Sequence, residues 1–121
     1  MDEPAFRTPA GDPIPGITRE QMERIDRLAM EEYRIGLLSM MENAGRGLAH
    51  VIRDHHDTIR NGDSAIDSSP DSAVILAGGG NNGGGSLVAA RHLANRGVDV
   101  SIVLDRSPSA LEGAVAQNTE T

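Results

Sequence analysis

The chain has 121 residues, and its 18 acidic and 11 basic residues give a formal charge of −7. This length allows one modest domain, and the absence of both lysine and cysteine excludes a P-loop lysine, a Schiff base, disulfides and thiolate metal sites. Because the charge is acidic and no apolar run reaches membrane length, we expect a cytoplasmic protein that binds no nucleic acid and no membrane.

The N-terminal segment predicts a leader followed by a helix. Residues 1–16 hold four of the 6 prolines, a composition typical of a flexible leader. Residues 18–21 read Thr-Arg-Glu-Gln, which is a capping box, and helical spacing of apolar residues follows. We therefore predict a helix from Arg19 to about Tyr33.

A second helix is predicted beyond Gly36. A capping box at residues 39–42, closed by a glutamate, opens it, and it runs to about Asp54. Its expected apolar stripe consists of Met41, Ala44, Leu48, Val51 and Ile52. Gly45 and Gly47 inside a helix each cost about 1 kcal/mol relative to alanine, so we expect a close backbone approach at one of them at least.

The remaining sequence alternates strands and helices. A polar loop at residues 56–72 precedes an apolar run at residues 73–77, which predicts a strand buried on both faces. A helix over residues 86–95, ended by Gly97, leads to a second strand over residues 98–104. That strand has Val100, Ile102 and Leu104 on one face, and Ser107 and Pro108 begin a last helix through Leu111, Ala114 and Val115.

Strand, turn, helix and strand in this order form a right-handed βαβ unit. The fold class is therefore α/β with a parallel sheet, in which two N-terminal helices precede βαβα. Two parallel strands cannot cover both faces and both edges of a sheet. We expect an incomplete, doubly wound domain over residues 17–121.

Residues 78–86, Gly-Gly-Gly-Asn-Asn-Gly-Gly-Gly-Ser, join the predicted strand to the next helix. Glycine lets backbone amides approach a ligand, and a helix start adds free N–H groups and a positive dipole end. This favours a phosphate or nucleotide site over an unliganded flexible turn. The spacing Gly-x-Gly-x-x-Gly from Gly78 matches the dinucleotide fingerprint, and Asp105 lies about 20 residues further on, where a ribose-binding acid is expected.

Four motifs follow one another along the chain. They are Ile-Thr-Arg-Glu-Gln-Met at residues 17–22, Met-Glu-Asn-Ala-Gly-Arg at 41–46, Gly-Gly-Gly-Asn-Asn-Gly-Gly at 78–84 and Ala-Ala-Arg-His-Leu at 89–93. In this order they resemble the N-terminal half of the YjeF N-terminal domain family, the NAD(P)H-hydrate epimerases. The resemblance implies a Rossmann-like three-layer sandwich and the interconversion of the R and S forms of hydrated NADH and NADPH.

The resemblance also implies site residues and partners. The residues that would contact the hydrated dinucleotide are Asn81, Asn82, Gly83, Gly84 and Gly85. Asn82 would also give its side-chain oxygen to a potassium ion, a role that suits an oxygen ligand. An NAD(P)H-hydrate dehydratase would then act on the S form, and a homodimer is implied. The family's catalytic acid has no counterpart among these residues, so no catalytic residue is assigned.

Two departures from the family pattern leave alternatives open. The family motif continues Gly-Gly-Asp-Gly, and this chain has Gly85 in place of the Asp and Ser86 in place of the last Gly. A carboxylate is therefore missing, and the side chain at position 86 is expected to crowd the helix start. The alternatives are a truncated, catalytically inactive nucleotide-binding fragment and a generic dinucleotide-binding Rossmann module that uses Asp105.

The Asp-His-His-Asp run at residues 54–57 is not expected to bind a metal, because adjacent residues at a helix end do not converge.

Overall fold

The computed structural model describes residues 6–61 and 72–119. It divides the chain into two compact units, with the boundary between Gly36 and Leu37. This boundary follows the first helix, whereas the predicted domain begins at residue 17. No helix within the described ranges is both long enough and apolar enough to cross a membrane.

The first unit begins with a hairpin that the sequence pattern does not predict. β1 (Phe6–Arg7) pairs antiparallel with β2 (Pro13–Ile14), and Gly11, with a φ of 92°, lies in the turn between them. The hairpin lies inside the segment predicted as a flexible leader. Strands of two residues are too short to produce an alternating apolar pattern, which explains why the sequence gives no strand signal here.

α1 (Arg19–Glu31) begins with the predicted capping box. The Thr18 hydroxyl accepts a hydrogen bond from the Gln21 backbone N–H at 3.2 Å, and the Thr18 N–H donates to the Gln21 side-chain oxygen at 2.7 Å. No residue of α1 is buried in the described structure. The predicted start of this helix is therefore confirmed, while its apolar side chains stay exposed.

The second unit begins with α2 (Leu37–Asn61), and the break at Gly36 is confirmed. The predicted capping box at residues 39–42 is wrong, because these residues already lie inside the helix. α2 also continues beyond Asp54 into the predicted polar loop. The rest of that loop, residues 62–71, lies outside the described residues.

The sheet of the second unit has two parallel strands, β3 (Ser72–Ala77) and β4 (Asp99–Leu104). Ile75 and Ala77 are buried beneath α3 (Asn81–Ala94). The opposite face carries side chains that are 66%, 75% and 53% exposed, namely Val74, Leu76 and Val103. The predicted burial of the first strand on both faces is therefore wrong for the described residues, since they cover one face only.

The segments that follow α3 and β4 include one confirmed and one corrected prediction. Gly97 has a φ of 83° just beyond α3, in the left-handed conformation expected of the glycine that ends this helix. After β4, a 3₁₀ turn (Pro108–Ala110) and α4 (Gly113–Thr119) replace the single helix that was predicted. The helix is interrupted because Leu111 adopts an extended conformation, with a ψ of 143°.

α3 is the centre of the second unit, because the sheet, α2 and α4 all pack against it. Its buried side chains are Leu87, Val88, Ala89, Ala90 and Leu93. A helix that is covered on several sides loses the polar face of an ordinary surface helix. The core is accordingly built from small and branched aliphatic residues.

The buried stripe of α2 differs in part from the prediction. The residues that face α3 are Met41, Gly45, Ala49 and, in part, Ile52. Ala44, Leu48 and Val51, which were expected in the stripe, are exposed. Gly45 allows the closest approach to α3, so the buried face of α2 is centred on this glycine and not on the larger apolar residues.

Candidate functional site

The glycine turn between β3 and α3 comprises only residues 78–80. α3 begins at Asn81, and its first hydrogen bond runs from the Gly84 N–H to the Gly80 carbonyl oxygen at 3.1 Å. The predicted start of this helix at Ser86 is therefore wrong. Glycine has low helix propensity, so tertiary packing and not local preference makes this first turn helical. The predicted link from a strand to a helix is confirmed.

The start of α3 presents polar groups to solvent. The first N–H groups of a helix have no partner inside it, and the N-cap residue Gly80 has no side chain that could cap them. Asn81 and Asn82 are exposed. Backbone N–H groups, two carboxamides and the positive end of the helix dipole therefore meet at one edge of the sheet, an arrangement suited to an anion.

The glycines that follow lie beneath this surface. Gly83 and Gly84 are buried, and Gly85 is half-buried. A methyl carbon added to Gly83 would lie 2.6 Å from the carbonyl carbon of Gly78, and one added to Gly84 would lie 2.5 Å from the Met41 sulfur. The backbone contact requires glycine at position 83, where the chain folds back on itself, whereas a side chain at position 84 would displace the end of the Met41 side chain.

The two departures from the family motif are accommodated. The Ser86 hydroxyl donates a hydrogen bond to the Gly83 carbonyl oxygen at 2.7 Å. The expectation that this side chain crowds the helix start is therefore wrong. A methyl carbon added to Gly85 would meet no heavy atom within 4 Å. Position 85 therefore has room for a methyl group.

α2 contacts the start of α3 through Gly45. A methyl carbon added here would lie 2.5 Å from the Val88 side chain and 2.6 Å from the Gly85 carbonyl oxygen. The same addition at Gly47 would meet nothing within 4 Å. The predicted close backbone approach is thus confirmed for Gly45 and is absent at Gly47, and the motif at residues 41–46 supports the glycine segment.

Glu42 connects α2 to α3 through ionic hydrogen bonds. Its Oε2 accepts from the Arg91 guanidinium, and its Oε1 lies 2.7 Å from His92 Nε2. Burial by itself would raise the pKa of Glu42, but the hydrogen bond to His92 and the charges of Arg91 and His92 hold it below its ordinary value. The prediction that this glutamate closes a capping box is wrong. Sequence reasoning missed the cluster, although both of its segments belong to recognised motifs.

Asp105 lies at the carboxyl end of β4, beside the glycine turn. Its N–H donates to the Ala77 carbonyl oxygen at 3.2 Å, and the Arg106 guanidinium donates to both carboxylate oxygens, at 2.8 and 3.0 Å. The hydrogen bond from Arg106 outweighs desolvation and lowers the pKa of Asp105. The fingerprint acid is therefore where the sequence placed it, but it is paired with the adjacent arginine.

The described residues contain no group of three histidine, aspartate or glutamate side chains that could hold a metal ion. Residues 54–57, the Asp-His-His-Asp run, lie within α2, which continues beyond them to Asn61. Asn82, the implied potassium ligand, is exposed at the start of α3. An oxygen-donor site at that point would therefore have to draw on carboxamide and carbonyl oxygens.

Comparisons of sequence with known proteins agree with one another. The sequence profile described as YjeF-related protein N-terminus matches residues 37–121. An NAD(P)H-hydrate epimerase of Dehalogenimonas lykanthroporepellens is 44% identical over 99 residues, which cover 82% of this chain and 37% of that protein. A bifunctional NAD(P)H-hydrate repair enzyme Nnr of Salinibacter ruber is 38% identical over 104 residues, which cover 86% of this chain and 18% of that protein.

A solved structure shares the fold. The crystal structure of yeast ynu0 superimposes with a TM-score of 0.71 at 24% sequence identity, covering 88% of this chain and 43% of that chain. The predicted α/β, Rossmann-like fold with a parallel sheet is therefore confirmed. The chain spans less than half the length of each of these three proteins.

Proposed function

The chain belongs to the family of YjeF-related protein N-termini, and on this premise we propose that it is an NAD(P)H-hydrate epimerase-like protein. Its substrates are hydrated NADH and NADPH, whose R and S forms it interconverts in the repair of nicotinamide coenzymes. The observation that carries this proposal is the exposed start of α3, which follows a three-residue glycine turn at the carboxyl end of a parallel strand.

The proposed binding mode assigns a role to each of the five site residues. The backbone N–H groups of Asn81, Asn82 and Gly83 donate to the pyrophosphate, whose charge the helix dipole favours. The exposed carboxamides of both asparagines reach the groups that flank the pyrophosphate. Gly84 keeps α3 close to α2, and Gly85 lies at the edge of the site, where a methyl group has room.

Epimerisation breaks and re-forms a bond at the inverted carbon, a change that general acids and bases accelerate. The hydrogen bond to His92 and the charges of Arg91 and His92 lower the pKa of Glu42, and the hydrogen bond from Arg106 lowers the pKa of Asp105. Both groups are therefore poor proton donors near neutral pH. We therefore assign substrate binding to the described residues and no catalytic residue among them.

We also propose that Asn82 contributes one oxygen ligand to a potassium ion. Its exposed carboxamide oxygen is a neutral, hard donor, so its chemistry fits, and a bound cation would offset the charge of the pyrophosphate. The dipole at the start of α3 opposes a cation bound alone. In the presence of a dinucleotide, the melting temperature should therefore be higher in KCl than in NaCl, and this difference should be smaller without the dinucleotide. Asn82→Ala should remove the difference between the two salts.

The proposal extends to partners and place of action. An NAD(P)H-hydrate dehydratase would consume the S form, and the repair function named in the bifunctional relatives supports this pairing. We place the protein in the cytoplasm as a homodimer. Light scattering of the purified chain tests the dimer, which would give twice the mass of a single chain.

The test of the epimerase proposal uses the purified chain and the R form of hydrated NADPH in potassium buffer. The expected result is conversion to the S form faster than the spontaneous rate. Asn81→Ala combined with Asn82→Ala should slow the conversion, whereas Asn95→Ala, an exposed change at the far end of α3, should not. A folded sample that leaves the spontaneous rate unchanged refutes the epimerase proposal.

One observation favours a second candidate, a nucleotide-binding fragment without catalysis. The pKa values of Glu42 and Asp105 are both lowered, so neither carboxyl group is a good proton donor near neutral pH. This candidate predicts saturable binding of the hydrated dinucleotide without acceleration of epimerisation. Measurement of binding and rate on the same sample separates the two candidates.

A further inference from the structure

The side chains of Asp105 and Arg106 extend from the end of β4 toward the glycine turn. Parallel pairing sets Ala77 opposite Leu104, so the residues that follow the two strands emerge side by side. The carboxylate oxygen Oδ2 of Asp105 lies 3.8 Å from the position that a methyl carbon on Gly78 would occupy. The ion pair therefore borders the turn that leads into α3.

Arg106 lies against the middle of this turn. A methyl carbon added to Gly79 would lie 2.5 Å from Nε and 2.6 Å from Nη1 of the guanidinium, so a side chain at position 79 would displace the guanidinium from the turn. A cleft of about 200 Å³ opens between the ends of the two strands, and its lining includes Gly78 and Asp105. Gly78 of the turn and Asp105 of the pair thus lie on the same cleft.

The pair remains available to a ligand. The side chains of Asp105 and Arg106 are 51% and 48% exposed. An ion pair this exposed is strongly screened by solvent and contributes little to stability, so exchanging it for contacts with a ligand costs little. Each group also has a distinct chemical preference, because a carboxylate accepts hydrogen bonds from ribose hydroxyls and a guanidinium binds a phosphate monoester through two hydrogen bonds.

We propose that Asp105 and Arg106 read the 2′ position of the adenosine ribose in a dinucleotide whose pyrophosphate is bound at the start of α3. The Asp105 carboxylate accepts from the 2′-hydroxyl of the unphosphorylated form, and the Arg106 guanidinium binds the 2′-phosphate of the phosphorylated form. The pair lets one site take both coenzyme forms. This inference rests on the proposed function, since it needs the dinucleotide to lie across the glycine turn.

Calorimetric titration with ADP-ribose and with 2′-phospho-ADP-ribose tests this inference, since the two probes differ only at the 2′ position. The chain should bind both. Arg106→Gln should lower the affinity for 2′-phospho-ADP-ribose about tenfold, as expected for one charge-assisted contact, and leave the affinity for ADP-ribose unchanged. Asp105→Asn should lower the affinity for ADP-ribose and leave the affinity for the phosphorylated probe unchanged.

Two controls make the result decisive. Arg96→Gln removes an exposed arginine that bonds the His92 carbonyl oxygen at the end of α3, and it should change neither affinity. Arg106→Lys keeps the charge and should recover part of the lost affinity for the phosphorylated probe only. Thermal melts establish that each variant is folded.

The outcomes separate the two proposals. If the unaltered chain binds both probes and Arg106→Gln weakens them equally or not at all, the reading of the 2′ position is refuted while the dinucleotide site stands. If the unaltered chain binds neither probe, the proposed function fails and this inference fails with it.

Discussion

Two glycines of α2, Gly45 and Gly47, have opposite surroundings although they are two positions apart. Gly45 faces Val88 and the Gly85 carbonyl oxygen, whereas Gly47 faces open space. Glycine inside a helix costs about 1 kcal/mol relative to alanine. At Gly45 this cost accompanies a contact between helices, but at Gly47 nothing in the described structure requires it.

The two glycines should therefore respond differently to alanine. Gly45→Ala should lower the free energy of unfolding by about 1–3 kcal/mol, because the added methyl group forces α2 away from α3. Gly47→Ala should raise it by up to about 1 kcal/mol. Urea denaturation of both variants measures the difference, and equal effects would contradict the packing described for Gly45.

Glu42 should make stability depend on pH. Its pKa in the folded chain lies below the ordinary value of 4.5 because the effects of His92 and Arg91 outweigh that of burial. A carboxyl group with a lowered pKa contributes stability above its unfolded pKa and loses it as the pH falls through the folded pKa. The contribution is expected near neutral pH and is lost in acid.

Replacement of Glu42 by glutamine tests this expectation. Because the group is partly exposed, the loss of unfolding free energy near pH 7 should be below about 1 kcal/mol, and it should shrink in acid. Glu112→Gln, an exposed control on the same unit, should show no such dependence. A loss that is the same at both pH values would contradict a role for the ionised carboxylate.

At the scale of elements, the start of α3 decides the geometry of the site. The segment from Asn81 to Gly85 is helical although it contains three glycines, because the packing of Gly83 and Gly84 against Gly78 and Met41 holds it. Gly85 makes no such contact. The helix thus contains one glycine that backbone packing requires, Gly83, and one that it does not, Gly85.

Gly83→Ala and Gly85→Ala form a matched pair on this helix. Gly83→Ala should destabilise the fold by about 1–3 kcal/mol and abolish dinucleotide binding, since it disrupts the turn at Gly78. Gly85→Ala should stabilise the chain by up to about 1 kcal/mol and retain binding. Thermal melts and calorimetry measure both effects, and loss of binding in a stabilised Gly85→Ala variant would show that position 85 contacts the ligand more closely than proposed.

The elements that could be predicted from sequence are those fixed by local chemistry. The capping box at Thr18 and the left-handed glycine at position 97 are short-range signals, and both are confirmed. The helical start of α3 depends on contacts with α2 and the strand end, which propensity cannot show. The Glu42 cluster likewise joins residues separated by about fifty positions, beyond any local pattern.

At the scale of the whole molecule, the fold class followed from the βαβ order, because that connection has one preferred hand and places both strand ends at one edge. This is why Asp105 lies beside the glycine turn as the spacing predicted. The exposure of Val74 and Leu76 could not be predicted from the apolar run alone, because it depends on which elements cover that face of the sheet. Exposed apolar faces favour association, so solution measurements need several protein concentrations.

The central claim is that the backbone N–H groups at the start of α3 bind the pyrophosphate of a nicotinamide dinucleotide. Its most direct test is an NMR titration of the ¹⁵N-labelled chain with ADP-ribose, followed through the amide signals. The account predicts saturable shifts concentrated at residues 78–85, with the amides of Asn81, Asn82 and Gly83 among the largest. Shifts that are absent at saturating probe, or that lie elsewhere in the chain, would contradict it.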